Sequence, residues 1–283
     1  MSSLFTRSGS ASVLYDAPGP RARIRYRVFG VLSLLGIAAL LWYAYDSLAS
    51  NGQFDGGLWD LFQYTAIQQR ILDGVLSTLK AFGLAALFSL TLGALLAAGR
   101  LSDHRPLRWA ATAFVQFFRA MPLLILIVAL YYAFFAKNPM WALVLGLTLY
   151  NGSVQAEIIR SGVNALPRGQ SEAAFALGMR KSQVMTSILV PQAVRSMLPA
   201  MIGQMVVTLK DTSLGYVITY GELLYVGKQI AAQPLNSAGF PYIPVVLVMA
   251  PIYILMCLLL TALARWIEAR GRRGANRRTP AAA

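Results

Sequence analysis

The amino-acid sequence predicts an all-α integral membrane protein, and three observations support this fold class. The chain has 283 residues, of which 57% are hydrophobic and only 13% are charged. A soluble domain carries about 25% charged residues, so this composition and the mean hydropathy of +0.56 indicate a protein that resides in lipid. The apolar residues also gather in long runs, and arginines stand beside those runs. We therefore predict six transmembrane helices.

The predicted spans follow from the length of the apolar runs, because a helix crosses a bilayer with about 20 mostly apolar residues. The first run ends in aromatic residues, which suit the membrane interface. The fifth is an apolar stretch that begins a longer helix. The six predicted spans cover residues 28–46, 71–98, 120–136, 140–159, 197–209 and 243–264.

The distribution of Lys and Arg orients these spans, since cytoplasmic loops carry the excess of positive charge. Residues 46–69 contain Asp46, Asp55 and Asp60 but no Lys or Arg, so they are predicted to lie outside. A basic N-terminal tail at 1–27 and a basic C-terminal tail at 269–283 are predicted to be cytoplasmic. The segment at 166–191, which separates the fourth and fifth spans, carries several cations and is also predicted to lie inside.

Several functional classes are disfavoured by the composition. The net charge of +14 would suggest nucleic-acid binding in a soluble protein, but these cations flank apolar runs, as they do beside anionic lipid. The single cysteine, Cys257, and the single histidine, His104, offer no metal site. The only Gly-Lys pair, Gly227-Lys228, has Glu222 where a phosphate-binding loop requires glycine. We expect no metal, no catalytic residues and no ATP site in this chain.

The segment "SEAAFALGMRKSQVMTSILVPQ", residues 171–192, is predicted to form a cytoplasmic helical hairpin. Ser171 is a plausible N-cap, and Glu172 in the first turn suits the helix dipole. Gly178 is expected to end the first helix, Ser182 to cap a second helix, and Pro191 to end it. These residues alone favour two interpretations equally, namely docking into a partner's groove or an interfacial helix that lies on lipid.

A resemblance favours the docking interpretation. "EAAFALG", followed by nine residues and "ILVP", resembles the EAA signature of binding-protein-dependent ABC importer permeases. That signature reads Glu-Ala-Ala, three residues, Gly, nine residues, Ile, one residue, Leu-Pro. Val190 stands where the family has leucine, and the matching residues are Glu172, Ala173, Ala174, Gly178, Ile188 and Pro191.

The resemblance extends over residues 71–268. The stretches 74–100, 118–134, 156–174 and 191–214 are similar to the polar amino acid branch of these permeases, and in particular to bacterial glutamate or glutamine permease subunits. It implies a five-helix type I ABC importer permease core at 71–268, with residues 28–46 as an additional N-terminal span. It also implies a location in the bacterial cytoplasmic (inner) membrane.

The resemblance implies partners and a mechanism as well. The chain would translocate a polar amino acid, L-glutamate or glutamine, by alternating access, with ATP bound by two separate ATPase subunits. An identical or homologous permease subunit, an extracellular substrate-binding protein and membrane lipid would complete the system, without a cofactor in this chain. The residues expected to couple the hairpin to an ATPase subunit are Glu172, Ala173, Ala174, Leu177, Gly178 and Arg180.

Two alternatives stay open at this point. A membrane scaffold or assembly factor would use the hairpin to recruit a partner without transport, and it would not co-purify with an ATPase subunit. An ion-coupled secondary transporter would keep transporting after ATP depletion and would stop when the ion gradient collapses.

Polar residues at membrane depth are the remaining candidates, because ionisable groups there usually face a bundle interior or a watery path. Lys210 and Asp211, with Thr212 and Ser213, end the fifth apolar run and are predicted to contribute to the translocation path, or else to brace it.

A second polar set lies near the cytoplasmic end of the fourth span. Glu157 and Arg160 are three residues apart on one helical face and are predicted to form a structural or gating pair. Arg119 is expected to anchor its helix at the membrane interface. Gly93 and Ala97 are expected to permit close helix packing.

Overall fold

The computed structural model describes residues 19–234 and 239–276, with side chains described as far as residue 267. The described part is built from helices and contains no β-strand. The predicted basic tails lie partly outside these residues, at 1–18 and 277–283. The α-helices are α1 Pro20–Ser50, α2 Thr65–Leu101, α3 Arg105–Ala120, α4 Leu123–Leu130, α5 Pro139–Asn164, α6 Arg168–Ala176, α7 Lys181–Val184, α8 Val190–Asp211, α9 Leu223–Ala231 and α10 Tyr242–Asn276.

The chain divides into two units, residues 1–55 and residues 56–283. In the first unit, α1 begins at Pro20, earlier than the predicted span at 28–46. Proline suits the first turn of a helix because its missing N–H has no partner there in any case. Beyond the end of α1, the ring of Phe54 stacks on Tyr45 with 5.3 Å between centroids. From residue 19 onward, the first unit is therefore one long apolar helix followed by a stacked aromatic pair.

Four helices of the described part are long and apolar enough to cross a membrane, namely α1, α2, α5 and α10 through Ile267. A fifth span exists if α3 and residues 123–135, which meet at a bend of 99°, are counted together. The predicted span at 197–209 lies inside α8, which also carries Arg195, Lys210 and Asp211 and is not among the apolar four. The structure therefore supports four to five apolar spans, and the count of six stays a prediction.

The bend between α3 and α4 lies inside the predicted span at 120–136. Met121 is extended, with φ −79° and ψ 131°, and Pro122 follows it. A residue before proline is driven out of the helical region by the proline ring, so α3 ends at Ala120 and a new helix begins at Leu123. After α4, a π-helical turn at Tyr131–Phe135 completes this segment.

The second unit is organised around the contact between α2 and α5. Small residues recur at nearly every fourth position on one face of α2 and are buried there. A Cβ added to Gly93 would lie 2.6 Å from the Cβ of Gln155 on α5, so the two backbones approach as closely as glycine allows. The buried stripe consists of Gly74, Thr78, Ala81, Ala85, Ser89, Gly93 and Ala97.

The hairpin's second arm runs on into α8, which corrects the prediction that the helix ends at Pro191. α7, a π-helical turn at Met185–Leu189 and α8 follow one another without a break, and Pro191 lies in the first turn of α8. Proline removes one helical N–H and its ring clashes with the carbonyl four residues earlier. A π-helical turn widens the backbone ladder at that place, so the chain passes Pro191 as a helix.

Candidate functional site

The first arm of the hairpin is α6, and it begins earlier than predicted. Pro167 occupies the N-cap position, and the helix starts at Arg168. The prediction that Ser171 is the N-cap is therefore wrong. Ser171 lies one turn inside the helix, where its Oγ donates a 2.8 Å hydrogen bond to the carbonyl of Arg168. Pro167 leads into the helix instead, because its extended backbone directs the chain into the first turn.

The expected turn at Gly178 is present. The N–H of Gly178 donates to the carbonyl of Phe175 at 2.9 Å, and the N–H of Met179 donates to the carbonyl of Ala174 at 3.2 Å. These two bonds form a Schellman motif, which requires a residue in the left-handed region, and Gly178 has φ +78°. The glycine is therefore needed by the backbone, because a Cβ added there would have no heavy atom within 4 Å.

The second arm begins at Lys181, which corrects the prediction that Ser182 caps it. Arg180 occupies the N-cap position, and its backbone N–H donates to Oε1 of Gln183 at 2.8 Å. Ser182 lies inside the helix, where its carbonyl accepts a 2.8 Å hydrogen bond from Oγ1 of Thr186. A side chain from the third helical position therefore closes this helix end, as a glutamine in a capping box does.

The predicted coupling residues divide into one that is buried and five that are exposed. Ala174 is only 2% exposed. Leu177 is 83% exposed, and Glu172, Ala173, Gly178 and Arg180 are exposed with it. Phe175, which is not among the predicted coupling residues, adds a second large apolar side chain at 49% exposure. The hairpin thus presents an apolar and charged outer face that nothing in the described part of the chain covers.

One ion pair tethers the hairpin to the turn after α2. The ammonium of Lys181 binds the carboxylate of Asp103 and donates a 3.2 Å hydrogen bond to the carbonyl of Leu101. The hydrogen bond from Lys181 lowers the pKa of Asp103 below its ordinary value. The pair is exposed, so its role is to position the second arm and its contribution to stability is small.

Glu157 and Arg160 form the predicted pair, but within a larger cluster. Nη2 of Arg160 lies 2.6 Å from Oε1 of Glu157. Arg100 at the end of α2 approaches Oε2 at 2.5 Å, and Arg119 at the end of α3 approaches the same oxygen at 3.1 Å. The interface-anchor role of Arg119 stays a prediction, and the ion pair with Glu157 is a contact that was not predicted. One carboxylate holds the ends of α2 and α3 against α5.

Local spacing explains why the sequence revealed only part of this cluster. Arg160 is one turn from Glu157 and is visible as a helical neighbour. Arg100 and Arg119 are separated from Glu157 by 57 and 38 residues, so only the packing of α2 and α3 on α5 brings them near. The one available signal was that each arginine borders a predicted span on the same predicted side of the membrane.

The four predicted path residues at the end of α8 differ in their surroundings. Thr212 is buried; its Oγ1 donates to the carbonyl of Leu209 at 2.7 Å and lies 3.0 Å from the hydroxyl of Tyr253 on α10. Lys210 and Ser213 line an open cavity of about 310 Å³ that Tyr253 also borders. Asp211 is half-buried, and no ion pair joins it to Lys210 among the described residues.

Buried amides form a further polar group that was not predicted from the sequence. Nε2 of Gln204 on α8 donates to Oδ1 of Asn151 on α5 at 2.7 Å, and Nε2 of Gln155 donates to the carbonyl of Met201 at 3.2 Å. Asn151 and Gln155 have no exposed surface. In a low-dielectric interior, polar side chains must find partners, so these bonds fix α8 against α5.

Comparison with known proteins identifies the family. Residues 89–273 match the model of the binding-protein-dependent transport system inner membrane component. The glutamate transport system permease protein GluD of Corynebacterium glutamicum is 44% identical over 239 residues, which cover 82% of this chain and 86% of GluD. The arginine transport system permease protein ArtQ of Bacillus subtilis is 31% identical over 203 residues, covering 70% of this chain and 90% of ArtQ.

A solved structure agrees with this assignment. The crystal structure of an amino acid ABC transporter with histidines contains a chain that superposes with a TM-score of 0.66 at 27% identity, covering 75% of this chain and 97% of that one. The resemblance to importer permeases of the polar amino acid branch, predicted from the EAA signature, is thereby confirmed. This chain belongs to the family of binding-protein-dependent transport system inner membrane components.

Proposed function

We propose that this chain is the transmembrane subunit of an ATP-driven importer that carries L-glutamate, or else glutamine, across the cytoplasmic membrane by alternating access. The observation that carries the proposal is the hairpin. Its signature residues Glu172, Ala173 and Gly178 stand on an uncovered face, beside Leu177, which is 83% exposed. The choice of glutamate is supported by GluD, which is 44% identical to this chain. Because relatives named for arginine transport are also similar to this chain, the identity of the transported amino acid should be measured first.

The proposed mechanism transmits motion through one long helix. Two ATPase subunits bind ATP and close on each other, and each would carry along the hairpin of one permease subunit. The helix that begins at Lys181 runs without a break to Asp211, a length of about 45 Å at 1.5 Å per residue. Movement at Gly178 would therefore reach Lys210 and Asp211, which we propose for the translocation path with Thr212 and Ser213.

The partners and the topology complete the proposal. An identical or homologous permease subunit would pair with this chain, and an extracellular substrate-binding protein would deliver the amino acid. Six spans, with both termini and the hairpin in the cytoplasm, satisfy the positive-inside rule. In this arrangement α8 would span the membrane although it is not among the apolar four, with its Gln204 hydrogen-bonded to Asn151 on α5. Reporter fusions at both termini test it, and an external C-terminus would contradict it.

Uptake by cells is the experiment that tests the function. Cells with and without this chain, expressed with its ATPase and binding-protein partners, are given a panel of labelled amino acids. We expect glutamate or glutamine uptake only with the chain, and we expect ATP depletion to abolish it. Uptake that survives ATP depletion but stops with the ion gradient would indicate a secondary transporter, and no uptake of any amino acid would indicate a scaffold.

The coupling role of the hairpin is tested on the assembled complex. Glu172→Lys reverses a charge on the outer face of α6, and we expect it to lower substrate-stimulated ATP hydrolysis without affecting membrane insertion. Arg105→Gln, a charge change in α3 outside the hairpin, is the control. Parental activity and parental complex recovery in Glu172→Lys would show that this face does not contact the ATPase.

The polar path is tested by substitutions at the end of α8. Asp211→Asn removes the charge but keeps the shape, and we expect it to reduce uptake while the complex assembles normally. Thr212→Val serves as the comparison, because it breaks the buried bonds to Leu209 and Tyr253 and we expect it to reduce complex recovery. Normal uptake in Asp211→Asn would exclude this carboxylate from the path.

A further inference from the structure

Two neighbouring cavities meet where α2 ends and the hairpin's second arm begins. One has a volume of about 600 Å³ and the other about 770 Å³. They are contiguous, because six residues border both, namely Leu101, Ser102, Asp103, Val163, Lys181 and Met185. Charged side chains border much of the smaller cavity, whereas apolar side chains border most of the larger one, so together the two cavities form one amphipathic site.

The smaller cavity, here the cationic chamber, is bordered by five cations, Arg100, Arg108, Arg160, Arg168 and Lys181, and by one carboxylate, that of Asp103. Three of the cations are already paired. Arg100 and Arg160 bind Glu157, and Lys181 binds Asp103.

Two guanidinium groups keep spare donors. Arg108 makes one long bond, 3.3 Å to the carbonyl of Ser102. Arg168 makes no hydrogen bond or ion pair that involves its side chain within the described residues. Guanidinium groups recognise phosphate through paired N–H donors, so the chamber offers an anion two such groups.

The larger cavity, here the apolar trench, lies between α2 and α8. Leu90, Ala94 and Ala98 border it on α2, and Val190, Val194 and Met201 border it on α8. From Leu101 back to Leu90 the trench follows α2 for about 16 Å at 1.5 Å per residue. That length matches the roughly 15 Å hydrocarbon depth of one leaflet, and α2 is long and apolar enough to span the membrane.

We propose that the chamber and the trench together bind one anionic phospholipid. Its phosphate contacts Arg108 and Arg168, and an acyl chain lies along Ala94, Ala98 and Val194. Charge complementarity and position support this occupant, since the chamber lies at the end of a spanning helix, where lipid headgroups are found. The lipid would touch Lys181 and Met185 of the second arm, and would thereby link membrane composition to the position of the hairpin.

The headgroup contact is tested on the purified full chain in detergent micelles that contain phosphatidylglycerol or phosphatidylcholine. Native mass spectrometry should detect one retained phosphatidylglycerol per chain and no retained phosphatidylcholine. The double variant Arg108→Gln, Arg168→Gln should retain phosphatidylglycerol at least about tenfold more weakly, because it loses two charge-assisted contacts. Arg105→Gln, which removes a cation that borders neither cavity, should behave as the parent. Equal retention of both lipids, or an unaffected double variant, would overturn the proposal.

The trench contact is tested by filling it. Ala98→Phe should reduce phosphatidylglycerol retention, whereas Leu95→Phe, at a position 67% exposed on α2, should not. sn-Glycerol 3-phosphate, which has the headgroup chemistry but no acyl chain, should compete poorly. Competition as strong as that of the lipid would mean a free-phosphate site and would overturn the proposal.

The lipid should also stay bound when ATPase subunits or a second permease chain are added. Loss of the lipid on their binding would mean that the two cavities form a protein interface, and would overturn the proposal.

Discussion

Small residues serve opposite purposes in two regions of this molecule. On α2, Gly93 and Ala97 lie against α5, and a Cβ added to Gly93 would lie 2.6 Å from Gln155 and 3.1 Å from the carbonyl of Gly152. On the hairpin, Ala173 is exposed, and a Cβ added to Gly178 would meet nothing within 4 Å. The small residues of α2 permit contact within the chain, whereas Ala173 and Gly178 on the hairpin are not covered by the described part of the chain.

The difference shows that a pattern of small residues predicts close approach but not the partner. In the α2–α5 contact the partner is another helix of the same chain, so a substitution there should change the stability of the folded chain. On α6 the described part of the chain supplies no partner, so a substitution should be felt in the assembled complex. Substitutions in the two regions should therefore separate into stability effects and coupling effects.

The largest expected effect comes from the charge cluster that closes the α2–α5 contact. Glu157→Gln removes the one carboxylate that pairs with Arg100 within the described residues, and the side chain of Arg100 is 6% exposed. An uncompensated buried charge costs about 3–5 kcal/mol, and the ends of α2 and α3 should detach from α5. The measurement is the free energy of unfolding in SDS-containing mixed micelles.

Arg160→Gln is the matched control for that prediction. It also removes one member of the cluster, but Glu157 keeps Arg100 and Arg119, and Arg160 is 35% exposed. We expect a smaller loss of stability than in Glu157→Gln. Equal losses in the two variants would mean that Arg100 does not depend on this carboxylate.

The second effect tests the close approach itself. Gly93→Val should force α2 away from α5, and overpacking of this kind costs about 1–3 kcal/mol. Gly83→Val is the control on the same helix, because a Cβ at Gly83 would meet no heavy atom within 4 Å and both variants carry the same β-branched penalty in a helix. Equal midpoints of SDS-induced unfolding would show that α2 and α5 tolerate a wider spacing.

The sequence predicted these two regions unequally, for physical reasons. The helices α2, α5 and α10 follow from long apolar runs, and the turn at Gly178 follows from residue type, because few residues other than glycine adopt φ +78°. The caps at Ser171 and Ser182 were predicted wrongly, since Pro167 and Gln183 compete for the same helix ends. Residue type identified a possible cap but not which of several neighbours would act.

Long-range contacts were out of reach of the same reasoning. The contacts of Arg100 and Arg119 with Glu157, and the buried amides between α5 and α8, depend on how helices pack. The π-helical turn before Pro191 was missed because a proline after an apolar run ordinarily predicts a helix end. The bent α3–α4 segment was missed because residues 105–119 mix polar and apolar residues and lack the long apolar run of a span.

The third effect separates backbone strain from lack of space at Gly178. A β-branched residue is strained in the left-handed region, at about 1–2 kcal/mol, so Gly178→Val should distort the turn and lower stimulated ATP hydrolysis. Asparagine is larger than alanine but tolerates this region, so Gly178→Asn should retain most of the activity. If asparagine is as harmful as valine, a partner in the complex packs against Gly178 and space, not backbone strain, is decisive.

The smallest effect concerns the tether between Asp103 and Lys181. The pKa of Asp103 is lowered from its ordinary value of 3.8, chiefly by the hydrogen bond from Lys181. A carboxyl group whose folded pKa is depressed stabilises the folded arrangement above its unfolded pKa, and this contribution is lost as the pH falls through the folded value. The hairpin should therefore be equally well positioned from pH 8 to about pH 5 and should loosen only below about pH 4. A nitroxide on Leu177→Cys, in a Cys257→Ser background, reports this as an increase in spin-label mobility.

Asp103→Asn should show the mobile spectrum at every pH, with Asp55→Asn, in the other unit of the chain, as the control. A parental spectrum in Asp103→Asn would mean that the hydrogen bond from Lys181 to Leu101 positions the second arm without the carboxylate.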